Sequence, residues 1–267
     1  MGPDSIQFQN TMSSPIQWRL PSKELFHSLR QGQVHLWRIV LDQSSEQLDF
    51  CKRFLSPDEQ ARAKKFRVPQ PHDQFITTRG CLRVLLGRYL GTNPLHFDFT
   101  KSSRGKPGLQ GAALPIQFNV SHTKGMALVA ITLADPIGVD IEWEDRRIQD
   151  DEIAERYFSA RESARLTSLA HPERTREFFR YWTCKEAYLK MLGVGLTEKL
   201  SECEITFETP GTLATVSLPS SHDQVTPYSL SWLEAAPQYM AAVAAGGTPV
   251  HLHFFSWVHS FFSMTES

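Results

Sequence analysis

Apolar residues along the chain follow two spacings, and each spacing predicts an element. Alternation at period two predicts strands over VHLWRIV (34–40), HFDFT (96–100), IQFNVSH (116–122), MALVAIT (126–132) and IGVDIEW (137–143). IQFNVSH and MALVAIT are joined by a tight turn at Thr123–Gly125. Further strands are expected near 203–208, 213–218, 228–233 and 239–245. Helical spacing appears from Ser44 onward and continues past Ser56-Pro57-Asp58-Glu59, where Ser56 caps and Pro57 takes the first helical position. It returns as two long helices, one over 74–91 closed by Gly91, the other from about Pro172 to Leu192 closed by Gly193. YFSARE (157–162) opens another helix. Residues 1–20 are polar and expected to be loose, and 102–111 is a loop by its glycines and proline. The apolar FFSWVHSFF (254–262) is too short to span a membrane and is expected to pack on the body as strand or helix.

The order of elements repeats. FLSPDE at 54–59 and YFSARE at 157–162 are 103 residues apart, and the same offset carries VHLWRIV to IGVDIEW, Cys81 to Cys184 and Leu86 to Leu189. Common amphipathic patterns can match by chance. A single offset shared by three elements instead predicts two copies of one α+β unit about a pseudo-two-fold axis, each with a small, mostly antiparallel sheet on a long helix. The expected division is 1–135 and 136–267.

The repeat isolates an oddity. Asp140 and Glu142 share one face of the 137–143 strand, while the same positions in the first copy are Trp37 and Ile39. The unit therefore folds without these acids. Paired carboxylates are either a solvated strand face or a cation site. The helix EFFRYWTCKEAYLKML (177–192) is apolar nearly all round, yet holds Lys185, Glu186 and Lys190. An i,i+4 ion pair explains Glu186 and Lys190 as neighbours but not their place on a buried helix. Ser121 and His122 end a strand and point to opposite faces, which disfavours a catalytic Ser–His pair. Arg104, Gly105, Lys106 and Pro107 form a short basic loop without the spacing of a P-loop.

Charge and cysteine content narrow the classes. With 28 Lys and Arg against 29 Asp and Glu, nothing draws the chain to nucleic acid or anionic lipid. The four cysteines form no CxxC pair and no disulfide framework, which suits a reducing cytoplasm, and no signal peptide or membrane span is expected.

In their order and spacing, RGKP, FNVSHT, IGVDIE and WTCKEAYLK resemble the Sfp-type 4′-phosphopantetheinyl transferases, over roughly residues 34–245. The resemblance implies a pseudo-dimer of two α+β units. It implies Mg²⁺-dependent transfer of the phosphopantetheine arm from coenzyme A to a serine of an apo carrier protein, with release of adenosine 3′,5′-bisphosphate. Carried over by residue, Asp140, Glu142 and Glu186 would hold Mg²⁺. Glu186 and Lys190 would serve catalysis, with either Glu186 or a water on the metal as base. Coenzyme A would meet Arg62, Arg104, Lys106, Pro107, Ser121, His122, Asp140, Lys185 and Lys190. Departures from the family pattern are Gln74 before Phe75, SHT rather than SHS, and Glu59 where some members carry Lys. The expected partners are acyl carrier proteins or carrier domains of polyketide and peptide synthases, steered by Arg146, Arg147, Arg156, Arg161 and Arg165. The expected state is a monomer. The competing functions are a coenzyme A-binding regulator without turnover and a Mg²⁺-dependent nucleotide phosphatase.

Overall fold

The structure, a computed structural model, describes residues 16–102, 104–111, 114–144, 150–194, 198–208, 212–217, 228–247 and 250–263. In chain order the elements are β1 (Gln33–Val40), α1 (Ser45–Lys52), α2 (Pro57–Ala63), α3 (Pro69–Leu90), β2 (Phe99–Lys101), β3 (Pro107–Leu109), β4 (Ile116–Thr123), β5 (Met126–Leu133) and β6 (Ile137–Trp143). They continue with α4 (Asp150–Tyr157), α5 (Ala160–Thr167), α6 (Glu173–Leu192), β7 (Glu204–Phe207), β8 (Leu213–Ser217), β9 (Tyr228–Ala236), β10 (Tyr239–Gly246), β11 (His251–Ser256) and α7 (His259–Ser263). The fold is a mixed α+β arrangement with small sheets. Among the described residues, no helix is long and apolar enough to cross a membrane.

The two larger sheets have the orders β11-β1-β5-β4 and β6-β10-β9-β8-β7, and β2 and β3 form a third, two-stranded sheet. Among the described strands, β11 pairs parallel with β1 and the other strand pairs are antiparallel. The chain's last strand thus returns to the sheet of its first half, where Phe255 and the fully buried Phe262 of α7 join Trp37 and Phe26 in the core. α3 lies on the first sheet's core and α6 on the second's, so each long helix is buried along most of its length.

Local chemistry accounts for the helix ends. Ser56 and Ser159 each accept from the backbone of the residue three on, Glu59 and Glu162, whose carboxylates return to the serine amides. α3 and α6 end on Gly91 and Gly193, both at positive φ (62° and 70°).

Several expectations need correction. The helix expected at 74–91 starts at Pro69, because a proline at the first position pre-sets φ. The strand expected at 96–100 is confined to Phe99–Lys101, and the 102–111 loop contains β3, which pairs with it. Helix is interrupted between α1 and α2. Residues 16–20 are not loose: Arg19 exchanges backbone bonds with Phe254 and Ser256, and Trp18 packs on Phe254. The expectation for residues 1–15 lies outside the described residues.

Candidate functional site

Two edge strands meet between the sheets. Asn119, Ser121 and Thr123 occupy alternate positions on β4 and face β6. Asn119 Oδ1 accepts from Val139 N (2.9 Å), Ser121 Oγ donates to Asp140 Oδ1 (2.8 Å), and Thr123 Oγ1 lies 3.5 Å from Glu142 Oε2. The chain separation is 19 residues for both the Ser121–Asp140 and Thr123–Glu142 contacts, so the strands advance in step. Sequence reasoning passed over Asn119 and Thr123. Their period-two spacing with Ser121 was the available signal.

α6 presses on β6 from the other side, and Gly138 permits it. A methyl group there would fall on the Ala187 carbonyl oxygen and the Met191 amide, and 3.0 Å from the Lys190 carbonyl carbon. The room Gly138 leaves on the acid face is therefore filled by helix backbone. This approach carries Glu186 and Lys190 to the acids. Lys190 Nζ donates to Asp140 Oδ1 (2.6 Å) and to Ser121 Oγ (3.1 Å).

The carboxylates are under electrostatic pressure. Glu186 is pushed up to about 7, first by burial and then by the Asp140 charge, with Glu142 adding to it and Lys190 opposing. Asp140 Oδ2 and Glu186 Oε1 are buried with no hydrogen-bond partner. Two orphaned carboxylate oxygens on neighbouring acids are hard donors of the kind that suit a Mg²⁺ ion. As placed, the acids do not close on one point: among the described residues, no three His, Cys, Asp or Glu side chains are gathered to hold an ion. The Lys190 ammonium sits on Asp140 instead.

His122 points away from Ser121, as strand alternation requires, with its rim exposed. Packed protein, and secondly the Lys190 charge, hold its pKa below the usual histidine value. Pro107 is half-buried at the start of β3, and Arg104 is exposed in the β2–β3 connection. Arg62 is exposed on α2 with its guanidinium 5.0 Å from the Phe75 ring centre. Glu59, where a lysine was the alternative, caps α2 and pairs with Arg83 (2.6 Å) and Arg79 (3.4 Å).

Two lysines are not where the resemblance put them. Lys185 is fully buried on another face of α6. It pairs with Glu162 (2.8 Å) and donates to the carbonyls of Tyr157, Leu200 and Cys203. One residue along a helix turns a side chain by about 100°, so Lys185 cannot share the Glu186 face. Lys106 donates to the Ile137 and Met191 carbonyls, 3.0 Å each, rather than opening to solvent. Two of the arginines expected to steer a carrier have internal partners: Arg161 bonds Glu204 (3.1 Å), and Arg165 lies 3.7 Å from Glu177. Arg146 and Arg147 lie outside the described residues.

Comparison with known proteins meets this geometry. Residues 136–244 match the family model described as "4'-phosphopantetheinyl transferase superfamily", and residues 41–133 match "4'-phosphopantetheinyl transferase, N-terminal". The chain is 40% identical over 222 residues to the 4′-phosphopantetheinyl transferase HetI of Nostoc sp., covering 82% of this chain and 90% of that one. It is 32% identical to the 4′-phosphopantetheinyl transferase psf-1 of Bacillus pumilus (74% and 82% covered). It is 27% identical to Sfp of Bacillus subtilis (79% and 92% covered).

Proposed function

The chain belongs to the 4′-phosphopantetheinyl transferase superfamily, and we propose that it transfers the phosphopantetheine arm of coenzyme A to a serine of an apo carrier protein, releasing adenosine 3′,5′-bisphosphate. The observation that carries this reading is the meeting of Asp140, Ser121 and Lys190 beside a Glu186 whose pKa is raised to about 7.

In this reading Asp140, Glu142 and Glu186 hold Mg²⁺, which when bound neutralises charge on the diphosphate oxygens. Lys190 presents its ammonium at the same point and stabilises the charge that grows on the departing bisphosphate. Ser121 orients Asp140 through its 2.8 Å bond and lines the diphosphate side. Glu186 accepts the proton of the carrier serine as its oxygen attacks the β-phosphorus. His122, exposed beside Lys190, takes the 3′-phosphate, with Arg62 adding charge. Arg104 and Pro107 line the adenine side.

The two-unit duplication belongs to the same proposal, with the boundary near residue 135 and β11 returning to the first sheet. It is supported by the matching capping boxes of α2 and α5, 103 residues apart. The carrier docks as an acidic partner beside Glu142 on a monomeric enzyme.

The test is to incubate the protein with coenzyme A, Mg²⁺ and a panel of apo carriers and to weigh the carriers. A phosphopantetheine mass gain, abolished by Asp140→Ala, is the expected result. Coenzyme A binding without any gain across the panel would contradict the reading.

A further inference from the structure

The loop that carries Arg104 is fastened at its base. Ser102 N donates to Lys106 O (2.9 Å), Lys106 N to Ser102 Oγ (3.1 Å), and Gly105 N to Ser102 O (2.9 Å). On either side Lys101 and Pro107 pair across the β2–β3 ladder. A loop closed on itself in this way moves as one piece, so whatever anchors Lys106 also places Arg104.

The anchor is unusual. Lys106 Nζ spends two of its three donors on Ile137 O, at the first residue of β6, and Met191 O, in the last turn of α6. Carbonyls at a helix C-terminus lack helical partners and carry the negative end of the dipole, so a cation there is doubly favoured. The side chain also lies along Gly193, its Cδ 3.4 Å from where a Cβ on that residue would stand. Ile137 precedes Gly138, the point where α6 touches β6. One ammonium thus joins the loop to both elements that carry the acids. Burial lowers the Lys106 pKa.

We propose that Lys106 is a positioning residue rather than a phosphate ligand: its ammonium holds the Arg104–Pro107 loop at a set distance from β6 and α6, and so fixes where the nucleotide end of coenzyme A lies relative to Asp140 and Glu186. This rests on the site binding coenzyme A as proposed above. A loop that places the non-reacting end of the substrate serves ground and transition states alike, so its loss falls on KM and spares kcat.

The experiment compares full-length wild type, Lys106→Met and Lys106→Arg. Hydrogen exchange is followed over residues 102–111 and 190–194 in the protein without coenzyme A, alongside coenzyme A binding and steady-state kinetics. Lys106→Met is expected to speed exchange in both segments and to raise KM for coenzyme A about tenfold, with kcat nearly unchanged. Lys106→Arg, which can still donate to two carbonyls, is expected to restore most of both. A raised KM with unaltered exchange would make Lys106 a direct substrate contact and overturn the proposal. Faster exchange with unchanged KM would overturn it too, by reducing the lysine to a brace. If Lys106→Met does not fold, Lys106→Gln goes through the same two measurements. A wild type that binds no coenzyme A refutes the functional reading instead, and the clamp itself is then decided by exchange in the free protein.

Discussion

Gly138→Ala is the smallest change that should pull the site apart. The added methyl would overlap backbone, namely the Ala187 carbonyl oxygen and the Met191 amide, and neither can rotate away as a side chain would. Restoring ordinary contact of roughly 3.5 Å obliges α6 to retreat from β6 by about 1.5 Å. Lys190 Nζ, now 2.6 Å from Asp140 Oδ1, would then lie outside hydrogen-bond range, and Glu186 would move with it. Overpacking of this kind costs about 1–3 kcal/mol, and backbone contact on both partners places it at the upper end. At roughly 2–4 °C per kcal/mol for a chain of this size, Tm should fall by about 5–10 °C. A 1 Å misplacement of catalytic groups costs on the order of 100-fold in rate. Urea denaturation gives the stability, and carrier mass gain with time gives kcat/KM. A folded Gly138→Ala with unchanged stability and turnover would refute the claim that this contact sets the site.

Two further outcomes follow from the buried charges. Glu186 binds its proton more tightly folded than unfolded, so the metal-free protein should lose stability as pH rises from about 4.5 to about 7 and then level off. Glu186→Gln does not titrate. It should match wild type near pH 4.5 and exceed it by roughly 2–3 kcal/mol at pH 8 in thermal unfolding, while losing turnover; equal stabilities at pH 8 would contradict the electrostatic argument. Lys185→Met strands the fully buried Glu162 and should cost about 3–5 kcal/mol, whereas Lys185→Met with Glu162→Leu should recover much of it. Wild-type stability with raised KM for coenzyme A would instead return Lys185 to the substrate.

Elements whose cause is local were legible in the sequence. The Ser56 and Ser159 caps, the Gly91 and Gly193 ends and the alternation of β6 each depend on residues within a turn or a pleat of one another. The acids stood out because the residues 103 positions earlier, Trp37 and Ile39, are apolar. What escaped was decided by distant partners. Nothing in HLHFFS (251–256) says that it will pair with β1 more than 200 residues earlier. The family resemblance alone puts Lys185 on the diphosphate, and the positive charge of its glycine loop puts Lys106 there. Their actual partners are a carboxylate 23 residues earlier in one case and carbonyls 31 and 85 residues later in the other. Helical phase alone separated Lys185 from Glu186, and that signal was available.

The central claim is that three carboxylates from one strand and one helix serve a single divalent ion. Mn²⁺ titration followed by electron paramagnetic resonance, with coenzyme A present, tests it most directly. The account predicts one tight ion per wild-type chain, with affinity lost by at least about tenfold in each of Asp140→Asn, Glu142→Gln and Glu186→Gln. Equal affinity in wild type and Glu186→Gln would contradict it.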